Sequence, residues 1–253
     1  MKETVGAIIQ ARTASTRLQG KVLKVMPGGY SVIEAVIRRT MAVESVDHVV
    51  VAMPEADRCG RLPGLCCSAG AEVFFGSSDD VLDRFYRCAE QYRFDLIVRV
   101  TADDPFRDPE VTAKAVSLML EDKTIDYLDI SGYPDGIGVE LFRCSALSRA
   151  WREATLNSER EHVTPYIWKN RHIFNTRTIK SDRRWTDWRL TLDEETDWQL
   201  VFEIDRRLAR EGEWYGLAEI DELLNAHPEI AALNSHLVKN AGYIKSLEVD
   251  GKS

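Results

Sequence analysis

The chain has 253 residues, 44% hydrophobic and 29% charged, with a formal net charge of −8. That length allows one large α/β domain, or a core domain with an insertion, and enough apolar content for a substantial core. The acidic balance argues against a general nucleic-acid binder, which needs a basic face, and no apolar run reaches bilayer length.

Residues 5–9 are an apolar run and read as a buried strand. The strand breaks into a loop with two arginines, small hydroxylated residues, a glycine and a lysine. Residues 31–41 predict a helix with Val32, Ile33, Val36 and Ile37 on one face. A strand at 48–53 leads into an irregular segment marked by Pro54, Gly60, Pro63 and Gly64, then a short strand at 72–75. Residues 79–92 are amphipathic, 96–101 form another apolar strand, and 109–120 a helix with proline in its first turn. This alternation predicts a mostly parallel sheet with helices on both faces.

Regularity changes after Asp126. Strands at 127–130 and 138–142 flank a turn-rich 131–136. Helices at 145–155 and 158–169, a strand at 172–178 and a last strand at 188–192 follow. Helices at 196–210, 217–225 and 228–233 complete the prediction. Residues from about 126 to 185 read as an insertion covering the carboxyl edge of the sheet, within a single domain spanning the chain. Cys59, Cys66, Cys67, Cys88 and Cys144 form no CxxC pair. They read as reduced, mostly packed thiols of a cytoplasmic protein, without a structural zinc site. No secretory signal pattern opens the chain.

The loop Ala11-Arg12-Thr13-Ala14-Ser15-Thr16-Arg17-Leu18-Gln19-Gly20-Lys21 is the most informative segment. A cationic loop after the first parallel strand is what a polyphosphate needs at the carboxyl edge of a sheet. Small residues let backbone N–H groups approach phosphate oxygens, arginines offer planar forks and lysine a mobile point charge. Neither GxGxxG nor GxxxxGK[ST] is present, so a dinucleotide-binding crossover and a P-loop both lose support. A second signal is Val98-Arg99-Val100-Thr101-Ala102-Asp103-Asp104-Pro105, a strand ending in acids. Carboxylate oxygens there suit Mg²⁺, which must accompany a triphosphate on so acidic a chain. Asp108 reads as an N-cap. Arg189-Leu190-Thr191-Leu192-Asp193-Glu194-Glu195-Thr196-Asp197 repeats the strand–acid–helix order.

Together these segments resemble the cytidylyltransferases that make CMP-activated sugar acids, through the pattern Ala-Arg-x3-Thr-Arg-Leu-x-Gly-Lys at 11–21. The resemblance is to the spore coat polysaccharide biosynthesis protein F branch, related to CMP-Kdo and CMP-acylneuraminate synthetases. It implies a three-layer, Rossmann-like nucleotidyltransferase sheet. Asp103 matches the metal-binding aspartate of a Gly-Asp-x-Pro motif, with Ala102 in the glycine position, and Asp193 matches a second metal carboxylate. Gly76-Ser77-Ser78-Asp79-Asp80-Val81-Leu82-Asp83-Arg84 resembles a segment near the nucleotide. Asp135-Gly136 with Glu140, and Arg160-Glu161-His162-Val163-Thr164-Pro165-Tyr166, resemble motifs of the same branch.

The resemblance implies CTP-dependent activation of a sugar acid of the 3-deoxy-2-ulosonic type, with pyrophosphate release, in surface polysaccharide biosynthesis. Arg12, Arg17, Lys21 and Asp103 are the implied catalytic group. Ala11, Ser15, Thr16, Gly76, Ser77, Asp80 and Arg84 join them at the nucleotide, while Asp135, Glu140, Arg160 and His162 are acceptor candidates. Asp103 and Asp193 would hold Mg²⁺. A homodimer, formed through the inserted region, is expected. Two alternatives remain open: transfer to a sugar phosphate or another phosphorylated small molecule, or a non-catalytic nucleotide-binding partner in such a pathway. Gln19, Ala102 and Gly28-Gly29-Tyr30 depart from the pattern without removing a charged group.

Overall fold

A computed structural model describes residues 2–211 and 214–251. Seven strands form one sheet in the order β3-β2-β1-β4-β6-β5-β7. They are β1 (Val5–Gln10), β2 (His48–Pro54), β3 (Glu72–Gly76), β4 (Leu96–Thr101), β5 (Tyr127–Ser131), β6 (Glu140–Arg143) and β7 (Thr176–Lys180). Parallel pairing links β1 to β2 and β4, β2 to β3, and β5 to β7. Only β6 is reversed, lying antiparallel to both β4 and β5. The chain steps outward from β1 to β3, then returns to place β4 on the other side of β1. That reversal opens a crevice at the carboxyl ends of β1 and β4, where α/β sheets bind ligands. Because β6 runs backwards, its first residue, Glu140, lies toward the same edge, paired with Arg99.

Helices cover both faces, as the alternation predicts. On one face α1 (Val32–Met41), α2 (Arg61–Ser68) and α4 (Pro109–Glu121) bury an apolar layer containing Ile9, Ile33, Ile37, Leu62, Val98 and Met119. On the other, α3 (Val81–Tyr92), α5 (Cys144–Glu153) and α7 (Pro165–Lys169) cover Ile8, Phe85, Ile97 and Phe142. A third cluster joins α1 to α8 (Glu195–Leu208), α9 (Leu217–Ala226) and α10 (Pro228–Ala231) through Val32, Phe106, Leu192 and Ile204.

Local chemistry starts these helices. Ser31 and Glu34 form a reciprocal capping box on α1, and Asp108 accepts from the amides of Glu110 and Val111 ahead of α4. Helix α2 replaces part of the expected irregular segment. Pro63 sits within its first turn, where a missing N–H breaks no helical bond. The helix expected over 158–169 is two, α6 (Asn157–His162) and α7, separated by Val163 at φ 72° and ψ −56°. The Thr164 amide donates to the His162 carbonyl across it, which makes a γ-turn, costly for a β-branched residue.

Residues 188–192 form no sheet strand. They are extended and tied to Asp135 and Asp103 by the Leu190 N–Asp135 O and Leu192 N–Asp103 O bonds. Like α2, helix α11 (Ala241–Asp250) was not expected; it packs on α6. Residues 126–185 supply β5, β6 and β7 to the common sheet, together with α5, α6 and α7. Cys66 and Cys88 are buried, but Cys59 and Cys67 are exposed, so the thiols are less packed than expected. Among the described residues no helix is long and apolar enough to cross a membrane.

Candidate active site

A cavity of about 1020 Å³ opens at the carboxyl edge of β1 and β4. That volume is at the upper end for a small-molecule site and leaves room for a nucleotide beside a second ligand. Its walls include Ala11, Arg12, Ser15, Thr16, Arg17, Lys21, Arg84, Asp103, Asp135, Glu140, His162 and Asp193. Segments as far apart in the chain as Ala11 and Asp193 therefore meet.

The loop after β1 is held at both ends. The Ala11 amide continues the ladder to the Ala52 carbonyl, and Thr13 donates from its amide and hydroxyl to Asp57. The Gly20 amide closes the loop on the Thr13 carbonyl. Gly20 itself is left-handed, φ 64°, a conformation cheap only for glycine. Leu18 anchors the loop in the third apolar cluster while Arg12 and Arg17 remain exposed.

Lys21 is the hub of the nucleotide end. Its Nζ donates to Asp103 Oδ2 at 2.6 Å, Asp193 Oδ1 at 2.8 Å and the Leu192 carbonyl at 2.9 Å. Burial works against the ammonium, but the two carboxylates outweigh it and raise its pKa. Asp193 is depressed although burial opposes this, because Lys21, Arg17 and Arg189 face it. Arg17 reaches Asp193 at 3.0 Å and Glu194 at 3.3 Å. The adjoining Asp104 is pushed up to about 7 by burial and by Asp103.

Positive charge concentrates on the loop side. Arg84 is lowered to about 10 by burial and by the nearby Arg12 guanidinium. Two facing guanidiniums in a cleft set up a demand for an anion. The donor set also fits Mg²⁺: Asp103 and Asp193 present hard oxygens to one common cation, Lys21, with no sulfur or imidazole among them. Ala102, in the glycine position of the motif, is 3% exposed and continues the ladder to the Gln10 carbonyl.

Several expected contacts are reassigned. Gly76, Ser77, Asp80 and Arg160 do not line the cavity. Asp80 caps α3 through the Asp83 amide and is bound by Arg160 Nε at 2.9 Å. Arg160 also donates to the Trp151 carbonyl at 2.7 Å, so its guanidinium joins α6 to α3 instead of facing an acceptor. Ser77 accepts from the Asp80 amide, and its carbonyl accepts from Arg84. Gly76 is packed on Arg84, whose Cγ lies 3.1 Å from where a Cβ would stand. Glu140 does line the cavity, but Arg99, Tyr127 and Thr164 all donate to it. Arg99 holds it ionised against burial. Trp185 and Trp188 spend their indole N–H groups on Ser181 and Asp221, and the tryptophan on the cavity wall is Trp168.

Other functional groups carry no motif of their own. Arg189 is the main one: it donates to Asp197 twice, to Asp135 at 3.2 Å and to Asp193 at 3.1 Å. Asp197 also accepts from the amides of Asp193 and Glu194, capping α8. Its position three residues after the cap, and Arg189 four before Asp193, are the only local signals. Asp57, Arg99 and Arg107 have none. They bind Thr13, Glu140 and the Gly138 carbonyl 44, 41 and 31 residues away, and Arg107 also donates to the Arg99 carbonyl.

Comparison with known proteins bears on this geometry. A family model described as Cytidylyltransferase matches residues 6–227. An uncharacterized protein, MJ1063 of Methanocaldococcus jannaschii, is 34% identical over 91% of this chain and 94% of its own. The spore coat polysaccharide biosynthesis protein SpsF of Bacillus subtilis is 31% identical over 88% of this chain and 95% of its own. A solved cytidylyltransferase from Leptospira borgpetersenii superposes with a TM-score of 0.86 at 26% identity, covering 94% of this chain and 100% of that one. A CMP:2-keto-3-deoxy-manno-octonic acid synthetase, solved with CTP, shares the fold at a TM-score of 0.66 and 17% identity, covering 81% and 99%.

Proposed function

We propose a function on the premise that the family match supplies: the chain belongs to the cytidylyltransferase family. It is an enzyme that transfers CMP from CTP to an oxygen of a sugar acid and releases pyrophosphate. The observation that carries this reading is Lys21, held between Asp103 and Asp193 in a cavity whose other wall carries Arg12 and Arg84. Cations for phosphate and carboxylates for a metal meet at the crevice between β1 and β4. SpsF supports a role in polysaccharide biosynthesis, and a relative named 3-deoxy-manno-octulosonate cytidylyltransferase, 32% identical over 48% of this chain, supports a sugar acid as acceptor.

The reaction needs no covalent enzyme intermediate. The acceptor hydroxyl oxygen bonds to the α-phosphorus of CTP, the bond from that phosphorus to the β-phosphate bridging oxygen breaks, and pyrophosphate leaves. The hydroxyl proton passes to solvent. Catalysis rests on positioning and on neutralising charge as it develops. Arg12 and Arg17 hold the triphosphate, with Ser15 and Thr16 on the same loop, and Arg84 adds charge from beneath. Lys21 moves from its carboxylates to phosphate oxygens as the nucleotide enters. Asp103 and Asp193 would then be free to hold Mg²⁺, which would neutralise phosphate charge and acidify the acceptor hydroxyl. Asp135 and His162 border the acceptor. Localisation in the cytoplasm, where CTP is made, and assembly as a homodimer belong to the same reading.

The test is pyrophosphate release from each of the four nucleoside triphosphates with Mg²⁺, across sugar acids and sugar phosphates. The expected result is CTP-selective release that requires a sugar acid and disappears in Asp103→Asn. Release only with a sugar phosphate would reassign the acceptor. CTP binding without release from any acceptor would make the protein a binding partner, and no binding of any triphosphate would overturn the reading.

A further inference from the structure

The cavity extends well beyond the phosphate loop. Its far end is walled by Trp168 and Arg171 after α6, by Asp129 on β5, and by α11. The matched family region stops at residue 227, so α11 lies outside what the family model describes. Yet α11 is built into the site. Ser246 is buried and donates to Glu161 at 2.6 Å, which leaves its oxygen to accept from His162 Nε2 at 3.0 Å. Asp250 accepts from the Ser158 amide at 3.1 Å, fixing the other end of the helix on α6. The Tyr243 ring meets His162 edge-on at 5.2 Å and Trp168 at 6.0 Å.

We propose that α11 is the specificity wall of the acceptor subsite, with Lys245 and Tyr243 reading an anionic sugar. This inference rests on the cytidylyltransferase reading above. Three kinds of chemistry converge at that end. Lys245 lines the cavity, and among the described residues its ammonium makes no hydrogen bond or ion pair. Arg171, on the same wall, spends only Nε, on the Trp168 carbonyl at 3.3 Å. Lys245 is thus available for an acceptor's carboxylate or phosphate, while the Arg171 guanidinium also faces the Asp129 carboxylate. Asp129 carries a buried oxygen with no hydrogen-bond partner, suited to accept from a sugar hydroxyl. Tyr243 and Trp168 offer ring faces to the carbon side of a sugar.

The experiment measures CTP affinity by calorimetry, and then pyrophosphate release with CTP against 3-deoxy-manno-octulosonate, N-acetylneuraminate and glucose 1-phosphate. Wild type is compared with Lys245→Ala, Lys245→Glu, Lys245→Arg, Tyr243→Ala and Tyr243→Phe. The expected result is an acceptor KM raised about five- to tenfold in Lys245→Ala and Tyr243→Ala, roughly the loss of one exposed charge-assisted contact or one ring face. Lys245→Glu should raise it further. Lys245→Arg and Tyr243→Phe should stay near wild type, with kcat and CTP affinity unchanged in every variant. A merely structural helix would instead move kcat, CTP affinity and melting temperature together. Unchanged acceptor KM in both Lys245→Ala and Lys245→Glu overturns the inference. So does a CTP-binding protein that turns over none of the three anions. Absence of CTP binding in wild type overturns the cytidylyltransferase reading itself, and the calorimetry separates that failure from the other two.

Discussion

Arg189 and Asp197 form a bidentate ion pair in the interior, Nε to Oδ1 at 3.0 Å and Nη2 to Oδ2 at 3.1 Å, with the Asp197 side chain wholly buried. The pair matters because Arg189 also reaches Asp193, and Asp197 binds the Asp193 amide. One side chain thus sets the position of a proposed metal carboxylate from below. Arg189→Met should leave Asp197 charged and unpaired, at a cost of about 3–5 kcal/mol of stability. A chemical denaturation midpoint within error of wild type would sink this account.

Lys21→Met leaves Asp103 and Asp193 facing each other with less compensation. Turnover should fall by about a hundredfold or more, the usual scale for losing a preorganised charge at a reacting phosphate. Single-turnover CTP consumption measures it. Retention of more than about a tenth of the rate would remove Lys21 from the mechanism.

Arg160 offers a contrast. Its contacts go to Asp80 and the Trp151 carbonyl, away from the cavity. Arg160→Met and Asp80→Asn should each lower the melting temperature and couple to one another in a double-mutant cycle. Acceptor KM should remain within about twofold, since neither side chain lines the cavity; a tenfold rise would return Arg160 to the acceptor site.

His162 should make stability pH-dependent. Burial lowers its pKa below the ordinary 6.5, with Arg99 adding to that effect and Glu161, Glu140 and Asp250 opposing it. Between the lowered value and 6.5 the unfolded chain binds a proton that the folded chain does not, so stability falls as pH drops through that window. Melting temperatures from about pH 8 to about pH 5.5 should decline less steeply in His162→Gln than in wild type. Parallel curves would show that other groups carry the dependence.

Gly136 adopts φ 94°, and a Cβ there would stand 2.7 Å from backbone atoms of Leu190 and Thr191. Gly136→Ala should therefore push away the segment that leads to Asp193. A destabilisation of about 1–3 kcal/mol is expected, with impaired turnover. Normal activity and stability in the variant would contradict the close approach.

Much of the molecule was legible locally. The apolar runs of β1, β2 and β4 and the cap at Asp108 belong to short segments whose periodicity and hydrogen-bonding chemistry need no distant partner. The cationic run from Arg12 to Lys21 and the acids at Asp103 and Asp193 were legible for the same reason: the chemistry is in consecutive residues. Helix α11 escaped because its hydrophobic pattern is weak, and its docking depends on one buried serine and its partners on α6.

By itself the sequence determined the α/β alternation, the phosphate-loop chemistry and the identity of the acids, since each depends on side-chain type at short spacing. Only the tertiary structure decided which charges meet. It set Lys21 between two carboxylates 82 and 172 residues away, and turned Arg160 onto Asp80. It also filled Glu140's hydrogen bonds from Arg99, Tyr127 and Thr164, and brought α11 to the far wall of the cavity. The physical reason is that a charged group's role is set by the nearest opposite charge in a poorly solvated place, and strand order rather than sequence distance decides which charge that is.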